Sequence, residues 1–359
     1  MYRKMKTCAE NVPIEIWLCI FNYLDISEIF HSFSQLNQYF NSILTSEHLL
    51  FHFQLTNNSQ TLNFFSAIVL SQSKHILHRL IYVENRFSTQ YSYLLKFLLD
   101  NAKELIRLRY LTIKLRPYHE RLTFLTLREL HSLTHLSLGC TMTQTLFEGL
   151  INLRSVRICK LIYRNFAHTI NTFTSKDSRI EILTIKDNYN QYSIIKHYIR
   201  HMSNLKKLCI LCLSTSSLNQ FGYWLKENYF LLQHIQCIHV EALLAEPTRV
   251  FFEQLHSMES IGKSLKITMG PTRWNEDLLK HMIHDFWILI ENIRQIQFNI
   301  CGYLYIDSTR DDIRQRFDTY HKKLQSKSCA SITIKWTERP LMSLSTIIEI
   351  NLLFQREKY

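Results

Sequence analysis

Val12-Pro13-Ile14-Glu15-Ile16-Trp17-Leu18-Cys19-Ile20-Phe21-Asn22-Tyr23-Leu24 is the stretch on which the reading of this chain turns. Pro13 suits a first helical turn, where its missing N–H costs nothing. From there Ile16, Trp17, Ile20, Phe21 and Leu24 recur as one wide helical stripe. Glu15, Cys19 and Asn22 make the only other stripe, and Leu18 spills beyond the apolar face. A helix apolar over most of its circumference is buried on more than one side. Asp25 with Glu28 three residues on forms a capping-box pattern, so a second helix starts there with Ile26, Ile29, Phe30 and Phe33 as its stripe. Asn37 can cap a third, with Tyr39, Phe40, Ile43 and Leu44 turned inward. A unit of about 40 residues buries too little surface to stand alone. The oily first helix therefore calls for cover by a second polypeptide.

This segment resembles the F-box. The family opens on Leu-Pro-x-Glu, continues through Ile-Phe/Leu-x-Tyr-Leu and an Asp-Leu-Leu second helix, and closes on a late Val, an aromatic and a Leu. The matching residues are Pro13, Glu15, Ile16, Ile20, Phe21, Tyr23, Leu24, Asp25, Ile29, Phe30, Phe40 and Leu44. Val12 stands where Leu is usual, Glu28 where Asp is, Leu36 where Val is and Phe40 where Trp is frequent; each change keeps size class or charge. The resemblance implies docking on the Skp-family adaptor of a cullin-RING ubiquitin ligase, with the rest of the chain selecting a target for ubiquitin-dependent degradation. That docking is helix-in-groove recognition by apolar anchors. Pro13, Ile16, Ile20, Leu24, Ile29 and Phe30 are the candidate adaptor-binding residues, some of which must instead form the small core.

Hydrophobic residues are 46% and charged residues 20% of the chain, a composition of a folded protein. No uncharged apolar run approaches the roughly 18 residues of a membrane span. Arg3, Lys4 and Lys6 ahead of an apolar stretch mimic a secretion signal, but Pro13 and Glu15 interrupt it and no small-residue cleavage site follows Leu24. Nine cysteines, an odd number, suit reduced thiols. The expected location is cytoplasm and/or nucleus. Cys209 and Cys212 form a C-x-x-C pair inside a strand-like apolar run without a second pair, so they read as buried structural thiols rather than zinc ligands.

From residue 105 onward a short apolar-x-apolar signature returns: Leu111-Thr112-Ile113, Leu136-Ser137-Leu138, Val156-Arg157-Ile158, Leu183-Thr184-Ile185 and Leu208-Cys209-Ile210. Weaker copies are Ile235-Gln236-Cys237, Leu265-Lys266-Ile267, Ile296-Gln297-Phe298 and Ile332-Thr333-Ile334. Their spacing runs from 20 to 36 residues. Such alternation predicts half-buried strands, and Tyr192–Met202, Leu218–Leu232 and Leu278–Ile290 between them predict helices. Strand plus helix at this period resembles the leucine-rich repeat. The Asn or Cys that normally caps the repeat turn is absent from most units, so the array is degenerate; an ordinary α/β domain is the alternative. The expected fold class is α/β (α+β overall): a three-helix F-box at 8–50, a helical linker or cap at 51–104, and a leucine-rich-repeat-like α/β solenoid with a parallel strand face at 105–359.

Net charge is +12, and residues 101–200 hold sixteen Lys/Arg against seven Asp/Glu. In a solenoid the residues between the apolar positions, from Thr112 to Thr333, would share an outward face with flanking lysines such as Lys335. Lys114, Arg157, Lys186, Lys207 and Lys266 are the candidate target-binding residues, for an acidic or phosphorylated protein. A merely solvated lysine-rich surface is the competing reading. No Gly-rich phosphate loop, nucleophile elbow or kinase motif set is present. His281/His284 and His131/His135 lack companions at metal-ligand spacing, and Asp311-Asp312 among Arg310, Arg314 and Arg316 reads as surface charge pairing. No catalytic, metal or cofactor site is expected. The alternatives are an adaptor-binding F-box protein with a non-degradative scaffold role, or a basic nucleic-acid-binding repeat protein, though no nucleic-acid motif is seen.

Overall fold

The computed structural model describes residues 9–55, 74–85, 91–114, 120–166, 178–187, 193–212, 214–242, 249–256, 264–274, 295–305, 315, 330–337 and 345–355. The chain divides into two compact units, Met1–Cys159 and Lys160–Tyr359.

In the first unit, α1 (Ile14–Phe21), α2 (Ile26–Phe33) and α3 (Gln38–Thr45) come first. They are followed by β1 (Phe51–Leu55), α4 (Lys74–Leu77), β2 (Leu80–Asn85), α5 (Tyr91–Asp100), β3 (Tyr110–Lys114), α6 (Glu120–Glu129), β4 (His135–Met142) and α7 (Gln144–Ile151). β5 (Ile158–Phe166) begins at the end of this unit. β1, β2, β3 and β4 pair in chain order, all parallel. α5 packs on α6 and α6 on α7, so helices follow the order of strands. The stretch 51–104, expected to be helical, carries β1 and β2 as well as α4 and α5. Phe51, Phe53 and Leu55 are buried while His52 and Gln54 between them are half-buried, the mark of a one-sided strand.

In the second unit, β6 (Ile182–Asp187), α8 (Ser193–His201), β7 (Lys207–Cys212), α9 (Thr215–Asn228), β8 (Cys237–Ala242), α10 (Arg249–His256), β9 (Ser264–Trp274) and β10 (Gln295–Tyr305) alternate. β6 to β10 pair in chain order, all parallel. β11 (Ala330–Thr337) and β12 (Ser345–Gln355) follow, with β12 antiparallel to both β10 and β11. The expected helices at 192–202 and 218–232 are α8 and α9 with a 3-10 turn at Tyr229–Leu232. Leu278–Ile290, His281, His284, the 310–316 charge cluster and the target-face flank beyond it fall outside the described side chains.

Register corrects two strand readings. Leu111 pairs with Leu136, and Leu183, Leu208, Ile238 and Leu265 form one inward row. Ile235 therefore belongs to the turn before β8, not to the strand. Likewise Val156 precedes β5, whose buried residues begin with Cys159 and Leu161. The underlying frame is Leu-x-x-Leu-x-x-Leu-x-Leu, as in Leu105, Leu108, Leu111 and Ile113. The first two positions form a turn in which the second N–H returns to the first carbonyl: Leu108 to Leu105, Leu133 to Leu130, Leu205 to Met202 and Ile235 to Leu232. After it, one carbonyl of the preceding strand lead-in accepts two N–H groups, Arg109 from Thr134 and His135, and Lys206 from Gln236 and Cys237. Apolar-x-apolar occurs in this frame at more than one offset, which is why the shorter signature slipped.

Side chains add rungs between successive turns. Ser132 Oγ donates to Ile106 O, Ser155 Oγ to Leu130 O, and Asn204 Nδ2 to Ser178 O at 2.8 Å. Leu130 O thereby accepts twice, from Leu133 N within its own turn and from Ser155 Oγ of the next. Within each unit the parallel strands run without a reversal of order, so the described strands contain no topological switch point of the kind that houses ligands in doubly wound sheets.

In the second unit α9 and α10 approach closely at Gly222. A Cβ there would lie 2.9 Å from Phe251 Cδ2, and Phe251 is fully buried. Gly222→Val should cost about 2 kcal/mol through overpacking. Urea denaturation of the full chain, read as a lowered midpoint, checks this.

Candidate functional site

The first three helices enclose a cluster of four rings. Trp17 meets Phe40 edge-on at 4.9 Å and Phe33 at 5.7 Å, and Phe21 lies 4.9 Å from Phe33. Phe21, Ile26, Ile29, Phe40, Ile43 and Leu44 are buried around it. Pro13 is the N-cap of α1 rather than its first turn, with its carbonyl accepting from Ile16 and Trp17. Trp17 Nε1 donates to Ala9 O at 3.1 Å, and Asn37 Nδ2 donates to Glu10 at 2.6 Å, so the segment before α1 is tied down on α3's side. The capping box of Asp25 and Glu28 and the Asn37 cap both form as expected.

Two polar groups fasten this bundle to the first strand. Asp25 accepts from Ser27 N at 2.8 Å, from Ser27 Oγ at 2.6 Å and from Gln54 N of β1 at 2.6 Å. Burial pushes its carboxyl above the usual carboxylate range, against the hydrogen bonds from Ser27 and Gln54 that pull it down. Arg79, 6% exposed, donates Nη1 to Leu44 O at 2.8 Å and Ser46 O at 2.6 Å and Nε to His75 O at 2.9 Å. Its guanidinium lies 4.6 Å from the Phe51 ring centroid. A cation at α3's C-terminus meets the negative end of the helix and its unsatisfied carbonyls.

The outer side of α1 is apolar and open. Ile16 is 49%, Ile20 40% and Tyr23 90% exposed, and Cys19 is exposed between them. These four stand at i, i+3, i+4 and i+7, a single stripe along the helix and the turn that follows. Leu36 is also exposed. Of the six sequence-chosen anchors, Pro13, Ile16 and Ile20 face outward, and Leu24 and Phe30 are half-buried, Phe30 with its ring 5.7 Å from Phe51. Ile29 is 0% exposed and belongs to the interior. Cys19 and Tyr23 were not among the chosen residues; their helical offsets from Ile16 were the available signal.

On the strand faces, Lys114 and Arg157 are exposed and Lys186, Lys207 and Lys266 half-buried. Arg157 stands in the lead-in to β5, and Gln236 in that to β8. In the first unit a row unforeseen in the sequence, His52, Tyr82, Tyr110 and His135, runs across β1 to β4 with rings 5.5, 6.3 and 4.2 Å apart. Burial holds both histidines below the usual imidazole range, Asp25 opposing this at His52. In the second unit the row is Thr184, Cys209, His239 and Lys266, with Lys207 one step back and Lys186, Glu241 and Thr268 one step on. Cys209 and Cys212 are buried free thiols, and burial pushes Cys209 up. Among the described residues no group of His, Cys, Asp or Glu could hold a metal ion, and no helix is long and apolar enough to cross a membrane.

Residues 10–52 match the family model of the F-box domain, the three helices and the start of β1. An F-box domain thus occupies the amino end of the described chain. No curated protein matches the sequence. Among solved structures, M. jannaschii TYW2 in complex with AdoMet is similar over 48% of this chain and 79% of that one, at 6% identity and a TM-score of 0.21. The precorrin-6y C5,15-methyltransferase of Geobacter metallireducens GS-15 is similar over 51% of this chain and 83% of that one, at 10% identity and a TM-score of 0.18. Superpositions at these scores carry no argument about fold or chemistry.

Asp25→Ala removes the α2 cap and strands the Gln54 N–H, and should cost about 2 kcal/mol. Asp25→Asn keeps an acceptor and should cost less. Thermal unfolding of both variants of the full chain measures the difference.

Proposed function

We propose that this chain is the substrate-receptor subunit of a Skp–cullin–F-box ubiquitin ligase and is not itself a catalyst. The F-box domain binds the Skp-family adaptor and, through it, cullin, in cytoplasm and/or nucleus. One observation carries the reading: Ile16, Cys19, Ile20 and Tyr23 line an exposed apolar stripe on the F-box, uncovered among the described residues. A contiguous stripe of this kind is what helix-in-groove recognition needs. The methyltransferase neighbours do not weigh against it, for the reason given above.

The remainder is read as a leucine-rich-repeat-like array that holds a protein target on its strand face. The recurring Leu-x-x-Leu-x-x-Leu-x-Leu frame, the shared carbonyls and the Ser132, Ser155 and Asn204 rungs support this, each repeat stacking on its neighbour. Lys114 and Arg157 in the first unit and Lys186, Lys207 and Lys266 in the second suit an acidic or phosphorylated target. Neither nucleic acid nor membrane enters this reading.

The test uses the full chain, because Asp25 and Arg79 bind the F-box to β1 and β2's lead-in. Ile20→Asp places a charge in the proposed seam without entering the core and should weaken adaptor binding by at least about 30-fold, or 2 kcal/mol. The unfolding midpoint should stay within about 0.5 kcal/mol of wild type, as for surface changes generally. Leu24→Asp is a poorer probe, since Leu24 is half-buried. Isothermal titration with purified Skp adaptor decides: equal affinity of Ile20→Asp and wild type would sink the assignment. Ubiquitylated clients that accumulate under proteasome block separate a degradative receptor from a scaffold.

A further inference from the structure

The strand face of the second unit carries three described lysines, Lys186, Lys207 and Lys266, against one described carboxylate, Glu241. Lys207 on β7 and Lys266 on β9 flank His239 on β8: Lys266 is its direct register partner, and Lys207 sits beside Cys237, two residues back along the same face. Neighbouring strands lie about 4.8 Å apart, and both ammonium groups are near enough to act electrostatically on the His239 ring. Neither lysine makes an ion pair among the described residues, whereas Lys206, next in sequence, pairs with Glu181 at 2.7 Å. His239 Nε2 lies 2.9 Å from Thr268 Oγ1. Glu241 is the face's one described carboxylate, set beside Leu211 and Thr268 on the far side of His239 from Lys207. Thr184, Cys209 and Cys237 complete the surround and are uncharged or weakly ionising.

We propose that Lys207, His239, Lys266 and Thr268 form a binding site for the phosphoryl group of a phosphorylated protein side chain. Two ammonium groups offset a dianion, the Thr268 hydroxyl donates to an oxygen, and the imidazole supplies a further N–H. The inference rests on the reading of this face as the target-binding surface and narrows it to one ligand chemistry and one position. The electrostatics agree: burial, then Lys266 and Lys207, hold His239 down to about 4, so the ring is neutral in the empty site. A phosphate dianion between the lysines reverses their effect and favours the imidazolium. His239 therefore binds more protons in the occupied state, and its pKa rises on binding.

The experiment is a titration of the histidine-labelled full chain with capped phosphothreonine, followed by NMR, with His239→Gln identifying the resonance. One histidine signal, absent from His239→Gln, should move saturably, and its pH midpoint should rise by about one unit or more. Lys207→Gln and Lys266→Gln should each weaken binding at least tenfold, while Lys206→Gln should not. An unmoved His239 signal, or equal weakening by Lys206→Gln, overturns the proposal. Inorganic phosphate that binds where phosphothreonine does not also overturns it, since the source is then not a protein side chain. Adaptor affinity measured on the same variants should be unchanged; its loss with phosphothreonine binding intact counts against the ligase reading and not against this site.

Discussion

Arg79 is the group on which the first unit depends. A guanidinium cannot shed its charge in a protein, and burying one is costly unless each N–H finds an acceptor. Here the hydrogen bonds do not go to a carboxylate, though Glu47 favours the charge from nearby. Three carbonyls accept them, two at the end of α3 and one from α4, with the Phe51 ring beneath. The charge is satisfied only when the last F-box helix, α4 and β1 stand in their present places. Asp25 performs the mirror task at the other end of the bundle, where a carboxylate at α2's N-terminus takes the first strand's N–H. A buried cation at a helix C-terminus and a half-buried anion at a helix N-terminus fix the same bundle to the same strand.

Because that junction is fixed from within, the outer side of α1 is free to be unsuited to water. The four-ring cluster of Trp17, Phe21, Phe33 and Phe40 takes up one side of α1, and Ile16, Cys19, Ile20 and Tyr23 on the other are exposed. Had β1 been laid across that side instead, the same sequence would read as an ordinary buried helix. The placement of β1 beneath α2, with Phe30 against Phe51, is what keeps the stripe open.

The three helices were legible because their punctuation is local: Asp25 with Glu28, and Asn37 with Phe40, are contacts within one turn. The alternation of Phe51, Phe53 and Leu55 was equally local, but sits against a pattern that ends in helix. The division of Pro13, Ile16, Ile20, Leu24, Ile29 and Phe30 between core and surface was not legible, since Ile29 and Ile20 differ only in what lies across from them. Arg79 carries no signature at all, its partners being up to 35 residues away. The strands were visible by alternation but misplaced at Val156 and Ile235, because a frame with apolar residues three, three and two apart offers several false starts. Only hydrogen-bond register distinguishes them. The side-chain donors Ser132, Ser155 and Asn204 carried no signal, because each acceptor carbonyl lies about 25 residues earlier in the chain.

The parallel strands of each unit pair in chain order, and this has a consequence for how the polypeptide reaches this state. Each new parallel strand closes a loop of about two to three dozen residues onto one already laid down, and the entropy of closing such loops grows slowly with their length. The amino-terminal bundle, finished by Arg79, offers the first edge on which β2 can form. Synthesis from the amino end therefore delivers the pieces in the order in which they can be used.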